Sequence, residues 1–133
     1  MSKSAIYTAN TTTTTVTPTN IIPLGTTVRR YGCNIIQEGN AITVTGKGYY
    51  FISGTITLEP TAVGDVSVSA LVDGVNIVGA TGSGAIATVG DSVTIPITAI
   101  VRNTCDCVKS AITFVLNEGT ANVTNIAVNV IKL

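Results

Sequence analysis

The chain has no histidine, and only 11% of its residues are charged and 5% aromatic. Each scarcity excludes a class of function. Without histidine, the commonest general base and the usual catalytic triads are missing. Seven basic residues balance seven acidic ones and are scattered singly except for Arg29-Arg30, so no positive field exists to attract nucleic acid. No apolar run approaches the length of a membrane-spanning helix. The first residues, Met-Ser-Lys-Ser-Ala-Ile-Tyr, hold no apolar stretch long enough for a secretory signal. The expectation is synthesis in a cytoplasm without export, and no membrane partner. Helical periodicity is absent as well, so there is no helix for a phosphate-binding glycine loop to open onto.

What is abundant is Val, Ile, Thr, Gly and Ala, within a 45% hydrophobic total. This is the composition of β-strands. At 133 residues the chain fits one domain that buries about two-thirds of its unfolded surface. A high apolar content with few charges leaves a single subunit poorly solubilised, and assembly would remedy that.

The organising stretch is residues 48–58, Gly-Tyr-Tyr-Phe-Ile-Ser-Gly-Thr-Ile-Thr-Leu. Side chains alternate along a strand, so Tyr50, Ile52, Gly54, Ile56 and Leu58 share one face, which reads as core. Tyr49, Phe51, Ser53, Thr55 and Thr57 share the other. That second face begins with two aromatics, which a monomeric sandwich would leave in water.

The other segments repeat the period of two. Residues 1–24 hold five consecutive threonines and predict a Thr-rich N-terminal arm or edge strand, with the folded domain spanning 25–133. Residues 27–37 predict a strand, 41–45 a short one, 66–72 another. Asp73-Gly74 is a strong hairpin signal that should fold residues 75–78 back on 67–72. Residues 79–90, with four glycines, predict a loop containing a weak strand. Strands follow at 92–101, where Pro96 argues for a sheet edge or bulge, then at 111–116 and 123–133. The fold class is all-β, a sandwich or barrel of about 8–10 antiparallel strands.

Candidate chemistry is sparse. Glu38, Glu59, Asp65, Asp73, Asp91, Asp106 and Glu118 all fall in or beside predicted turns, where carboxylates are ordinarily solvated or bonded to local backbone. Cys33, Cys105 and Cys107 leave three readings open. As zinc ligands they want a fourth partner that neither histidine nor another cysteine supplies. As a disulfide, Cys33 would join one of the pair or a second subunit under oxidising conditions. The plainest reading is free thiols. Arg29 and Arg30 point to opposite faces and fit salt bridges better than a shared anion site. Asn10-Thr11-Thr12 and Asn122-Val123-Thr124 match the glycosylation pattern but have no secretory route. Asp73 and Asp91 are weak candidates for calcium. No catalysis, cofactor or metal site is expected.

The run Ile42-Thr-Val-Thr-Gly-Lys-Gly-Tyr-Tyr-Phe-Ile-Ser-Gly-Thr-Ile-Thr-Leu58 resembles the signature of the trimeric jelly rolls of the complement globular head and tumour necrosis factor. The downstream order is similar too, with the strand before Asp73-Gly74, a strand rising to Val101, Leu116-Asn-Glu-Gly119 and a closing Ile131-Lys-Leu133. The likeness spans residues 40–133. Ile22-Pro-Leu-Gly-Thr-Thr-Val-Arg-Arg-Tyr-Gly-Cys33 with Cys105-Asp-Cys107 looks like phage head-fibre or capsid-decoration proteins. Exosporium collagen-like glycoprotein heads belong to the same branch, but Gly-X-Y repeats are absent here. The resemblance implies a homotrimeric jelly roll with Tyr49, Phe51 and Phe114 at the subunit interface. It further implies a non-catalytic virion protein, attached through its N-terminal arm to a major capsid protein or fibre base. The alternative it implies is a trimeric adhesin, receptor-binding tip or spore-surface module that holds a host-surface glycan through loops such as 79–90.

Overall fold

Strand formation follows the alternation, and the sandwich follows from every long strand having one apolar face to bury. A computed structural model describes residues 3–105 and 109–133. The described residues form eleven strands and no helix: β1 (Ala5–Asn10), β2 (Thr14–Val16), β3 (Thr26–Tyr31), β4 (Ile35–Glu38), β5 (Ala41–Thr45), β6 (Gly48–Pro60), β7 (Gly64–Val72), β8 (Val75–Ile86), β9 (Val93–Asn103), β10 (Lys109–Glu118) and β11 (Ala121–Lys132). They make two antiparallel sheets. The first runs β3-β1-β11-β6-β9, with β2 also on β11, and the second runs β4-β5-β10-β7-β8. The chain is an all-β jelly-roll sandwich.

Between the sheets lie Tyr50, Ile52, Ile56 and Leu58 of β6, Ile126, Val128 and Val130 of β11, and Ile112, Phe114 and Leu116 of β10. Phe114 sits at the centre. Its ring occupies the space that a side chain on Gly54 would need, since a Cβ there would lie 3.1 Å from Cε2 and Cζ. The glycine in the middle of β6 is thus a packing device, and it offsets the entropy cost of glycine in a strand. The Tyr50 hydroxyl, fully buried with its ring, donates toward the carbonyls of Thr45 and Gly46 at 2.9 and 2.8 Å. That contact pins the β5–β6 turn to the core.

Three expectations change. Residues 5–24, expected as an N-terminal arm or edge strand, belong to the sandwich. β1 lies between β3 and β11 and is hydrogen-bonded on both sides, while β2 continues along β11. Pro18 and Pro23 bracket a crossing to the other sheet, where Ile22 N donates to the Phe114 carbonyl at 2.7 Å. Ile6, Val16, Ile22 and Leu24 are all buried. Threonine richness hid an alternating apolar minority that the core uses.

Second, residues 27–37 are two strands in different sheets, because Gly32 at φ 81° turns the chain between β3 and β4. Third, residues 79–86 are strand. Gly82 and Gly84 face inward, where a Cβ would come within 2.4 Å of Ile95 and 2.5 Å of Val93. These glycines permit β8 and β9 to approach each other and close one side of the sandwich. The Asp73-Gly74 hairpin forms as expected, with both residues at positive φ and Val75 opposite Val72. β9, which carries Pro96, is the outermost strand of its sheet.

Phe114→Ala should therefore cost about 3–5 kcal/mol of stability, the usual toll of emptying an aromatic site in a packed core. Urea unfolding followed by circular dichroism measures it, and a loss under about 1 kcal/mol would contradict the packing described.

Candidate functional site

Register assembles the site. On the outward face of the first sheet, Tyr31 pairs with Ala5, Ala5 with Ile131, Ile131 with Phe51 and Phe51 with Ile100. One continuous apolar row therefore crosses all five strands in the order β3, β1, β11, β6, β9. At about 4.8 Å per strand it is about 19 Å wide. Tyr31, Ile131 and Ile100 are 59%, 41% and 57% exposed, and Phe51 is half-buried by its neighbours.

A second row lies beside it toward the end of the sheet. The Leu133 N–H donates to the Tyr49 carbonyl at 2.9 Å, which sets two more exposed apolar side chains side by side. Arg102, opposite Tyr49 on β9, holds its guanidinium 5.6 Å from the Tyr49 ring centroid. At an exposed position such a stack contributes about 0.5–1 kcal/mol and holds the ring in place. In the other direction the next row is largely polar, running Arg29, Tyr7, Asn129, Ser53 and Thr98, with Tyr7 its one aromatic. The apolar band is thus confined to one end of one sheet.

Hydrogen bonds cross-link that end. The Lys132 N–H donates to the Ser4 carbonyl at 2.9 Å, so the first and last described strands are tied together there. Asn34 Nδ2 donates to the Thr45 carbonyl at 2.6 Å, and the Ser4 hydroxyl donates to Asn34 Oδ1 at 3.2 Å. Between the sheets nearby, Ser110 Oγ donates to Asn103 Oδ1 at 2.9 Å, both residues being buried.

Of the expected interface residues, the structure brings Tyr49 and Phe51 together on this band and places Phe114 elsewhere. Phe114 is fully buried between the sheets, so it supports β6 from beneath and is not available to a second chain. Sequence reasoning missed Tyr31, Ile100, Ile131 and Leu133. Ile100 and Ile131 carried a signal, since each is out of phase with the core residues on its own strand, but only pairing register puts them next to Phe51.

The cysteines do not join this site as a group. Cys33 is a free, exposed thiol in the β3–β4 turn, Cys105 is disulfide-bonded, and Cys107 lies outside the described residues, as does Asp106. No group of three or more His, Cys, Asp or Glu capable of holding a metal ion occurs among the described residues. Arg30 donates from Nε to the Ile35 carbonyl at 2.7 Å, and neither Arg29 nor Arg30 has an ion pair among the described residues, contrary to the salt-bridging expected of them. Asn10 and Asn122 are engaged in side-chain hydrogen bonds with Pro23 and Thr15.

No protein-family model and no curated protein matches the sequence. Solved structures do match in fold. Murine APRIL superposes with a TM-score of 0.75 at 11% identity, covering 98% of this chain and 99% of that one. The globular domain of zebrafish complement 1qA gives 0.73 at 9% identity, over 95% and 94% of the two chains. The vertex protein P5 of phage PRD1 gives 0.65 at 14% identity, over 97% and 95%. At such identities the likeness shows the fold, and the fold is the one that residues 42–58 announce.

A thiol reagent applied to the native protein should modify Cys33 and leave Cys105 unmodified until reductant is added, as read by peptide mass. Modification of Cys105 without reductant would contradict the assignment.

Proposed function

We propose that the chain is a structural virion protein of a bacteriophage, a homotrimeric capsid-decoration or head-fibre protein with no catalytic activity. The observation that carries the first half of this reading is the apolar row from Tyr31 to Ile100. A sheet face with a contiguous exposed apolar band, on a protein with few charges to keep it in solution, is a surface made to be covered. A second copy of the chain is the occupant that the resemblance favours, since it implies a trimer packed through the outer face of residues 49–51. Tyr49 and Phe51 then lie near the threefold axis, with Ile100, Ile131 and Leu133 around them and the Asn129-Ser53-Thr98 row as a polar rim. An apolar centre with a polar edge is the ordinary anatomy of a stable interface.

The virion half rests on the likeness to a phage vertex protein together with the phage-like segments at residues 22–33 and 105–107. Because residues 5–24 belong to the sandwich, this reading attaches the protein to a major capsid protein or fibre base through the folded surface that those residues help to form. A second reading, a trimeric tip that holds host-surface glycan, is favoured by one observation, a polar groove on the opposite sheet lined by Asp65, Ser67, Thr81, Ser83 and Glu118. The two are compatible in a single protein that builds a particle and touches a cell.

Tyr49→Lys combined with Phe51→Lys should convert the assembly to a monomer while circular dichroism stays unchanged. Both side chains lie on the outward face, and six like charges about one axis cannot be buried. Light scattering reads the outcome, and an unchanged mass would sink the interface assignment. For location, antibody raised to the purified chain should label the heads of particles released by the cells that make it. Particles free of label would contradict the virion reading.

A further inference from the structure

A depression of about 520 Å³ lies on the outer face of the second sheet and is lined by Asp65, Ser67, Thr81, Ser83, Ala85 and Glu118 together with Gly84. Its floor exists because β8 carries no large side chain from Gly79 to Ala85. Its walls are set by register. Ser67 lies opposite both Ser83 and Glu118, and Asp65 lies opposite Ala85. Glu118 reaches this face only because of a bulge: Leu116 faces the core opposite Val68, and the register shift before Glu118 sets it against outward-facing Ser67. Bulges of this kind re-aim a side chain, and they gather next to functional sites. The hydroxyls are oriented as well. Asn117 Nδ2 donates to Ser69 Oγ, and Ser69 Oγ is 2.8 Å from Thr81 Oγ1.

We propose, resting on the second reading above, that this groove binds a neutral glycan. The lining offers two carboxylates that accept hydrogen bonds and three hydroxyls, from Ser67, Thr81 and Ser83, that both give and accept. A ligand that answers such a set is rich in hydroxyl groups. With two like charges and no Lys or Arg among the lining residues, the groove rejects acidic sugars and phosphates. A cation is less well served, since the groove offers two carboxylates and no group of three His, Cys, Asp or Glu occurs among the described residues. The groove also lies on the sheet opposite the apolar band, so it stays open when that band is covered. Exposed carboxylates give a weak single site, and several copies on one particle raise the avidity without any new contact.

The test begins with the purified chain on an immobilised panel of neutral, amino and acidic glycans. The best-bound neutral oligosaccharide is then titrated in solution by NMR. That titration reads one site at a time, so it is indifferent to whether the chain is a trimer. The expected result is saturable binding to neutral glycans, with amide shifts centred on residues 65–69, 81–85 and 118. Asp65→Asn with Glu118→Gln should weaken it at least tenfold, and Ser83→Leu, which fills the groove, should do the same, both with unchanged circular dichroism. No saturable binding to neutral glycans, a preference for acidic ones, loss of binding on adding EDTA, or full affinity in both variants would each overturn the proposal.

Discussion

The structure depends on one strand having two apolar faces. Along β6 the inward set is Tyr50, Ile52, Ile56 and Leu58, all fully buried, and the outward set starts with Tyr49 and Phe51. A strand in a two-layer sandwich can bury only one face against its own chain. The inner face is satisfied by β10, whose Phe114 ring fills the gap above Gly54. The outer face is left with aromatic surface in water. Fully burying one large apolar side chain is worth about 1.5–3 kcal/mol, and Tyr31, Tyr49, Ile100 and Ile131 are already about half covered, so the band offers several kcal/mol toward association before the cost of bringing the chains together.

Position then decides what the other features can do. The band occupies one end of the first sheet, where the Ser4, Asn34 and Thr45 contacts and the bond between Lys132 and Ser4 cross-link the backbone. The glycine-rich β8 lies at the edge of the second sheet, tight against β9 on its inner side and shallow on its outer side. One face is thus suited to another copy of the chain and the other to solvent or a polar ligand. Under the proposed reading, assembly and recognition would use different sheets, so that contact with a second surface would leave the apolar band undisturbed.

Much of this was legible in the sequence where two signals agreed. Alternation and turn chemistry coincide at residues 48–58 and at Asp73-Gly74, and both formed as read. The reading failed where a residue type had two uses. Glycine at 82 and 84 reads as loop, but here it answers to Ile95 and Val93 across the sandwich, a contact visible only once the sheets are stacked. Threonine at 11–15 reads as tail or edge, yet Ile6, Val16, Ile22 and Leu24 beside it are core. Phe114 looked like an interface aromatic and is a core residue, because its phase on β10 matches Ile112 and Leu116. The apolar row was half visible. Tyr49 and Phe51 stand out as neighbours in sequence, whereas Ile100 and Ile131 join them only through strand pairing across 49 and 80 residues of chain.

The central claim, that the outward face of the first sheet is covered by further copies of the same chain, is tested most directly by the solution mass of the unmodified protein. It should be taken by light scattering over a range of concentrations, with and without reductant and salt. The account predicts a stable mass of three times 13.6 kDa, indifferent to reductant because packing holds it and insensitive to salt because the band is apolar. A mass of 13.6 kDa at every concentration would contradict it.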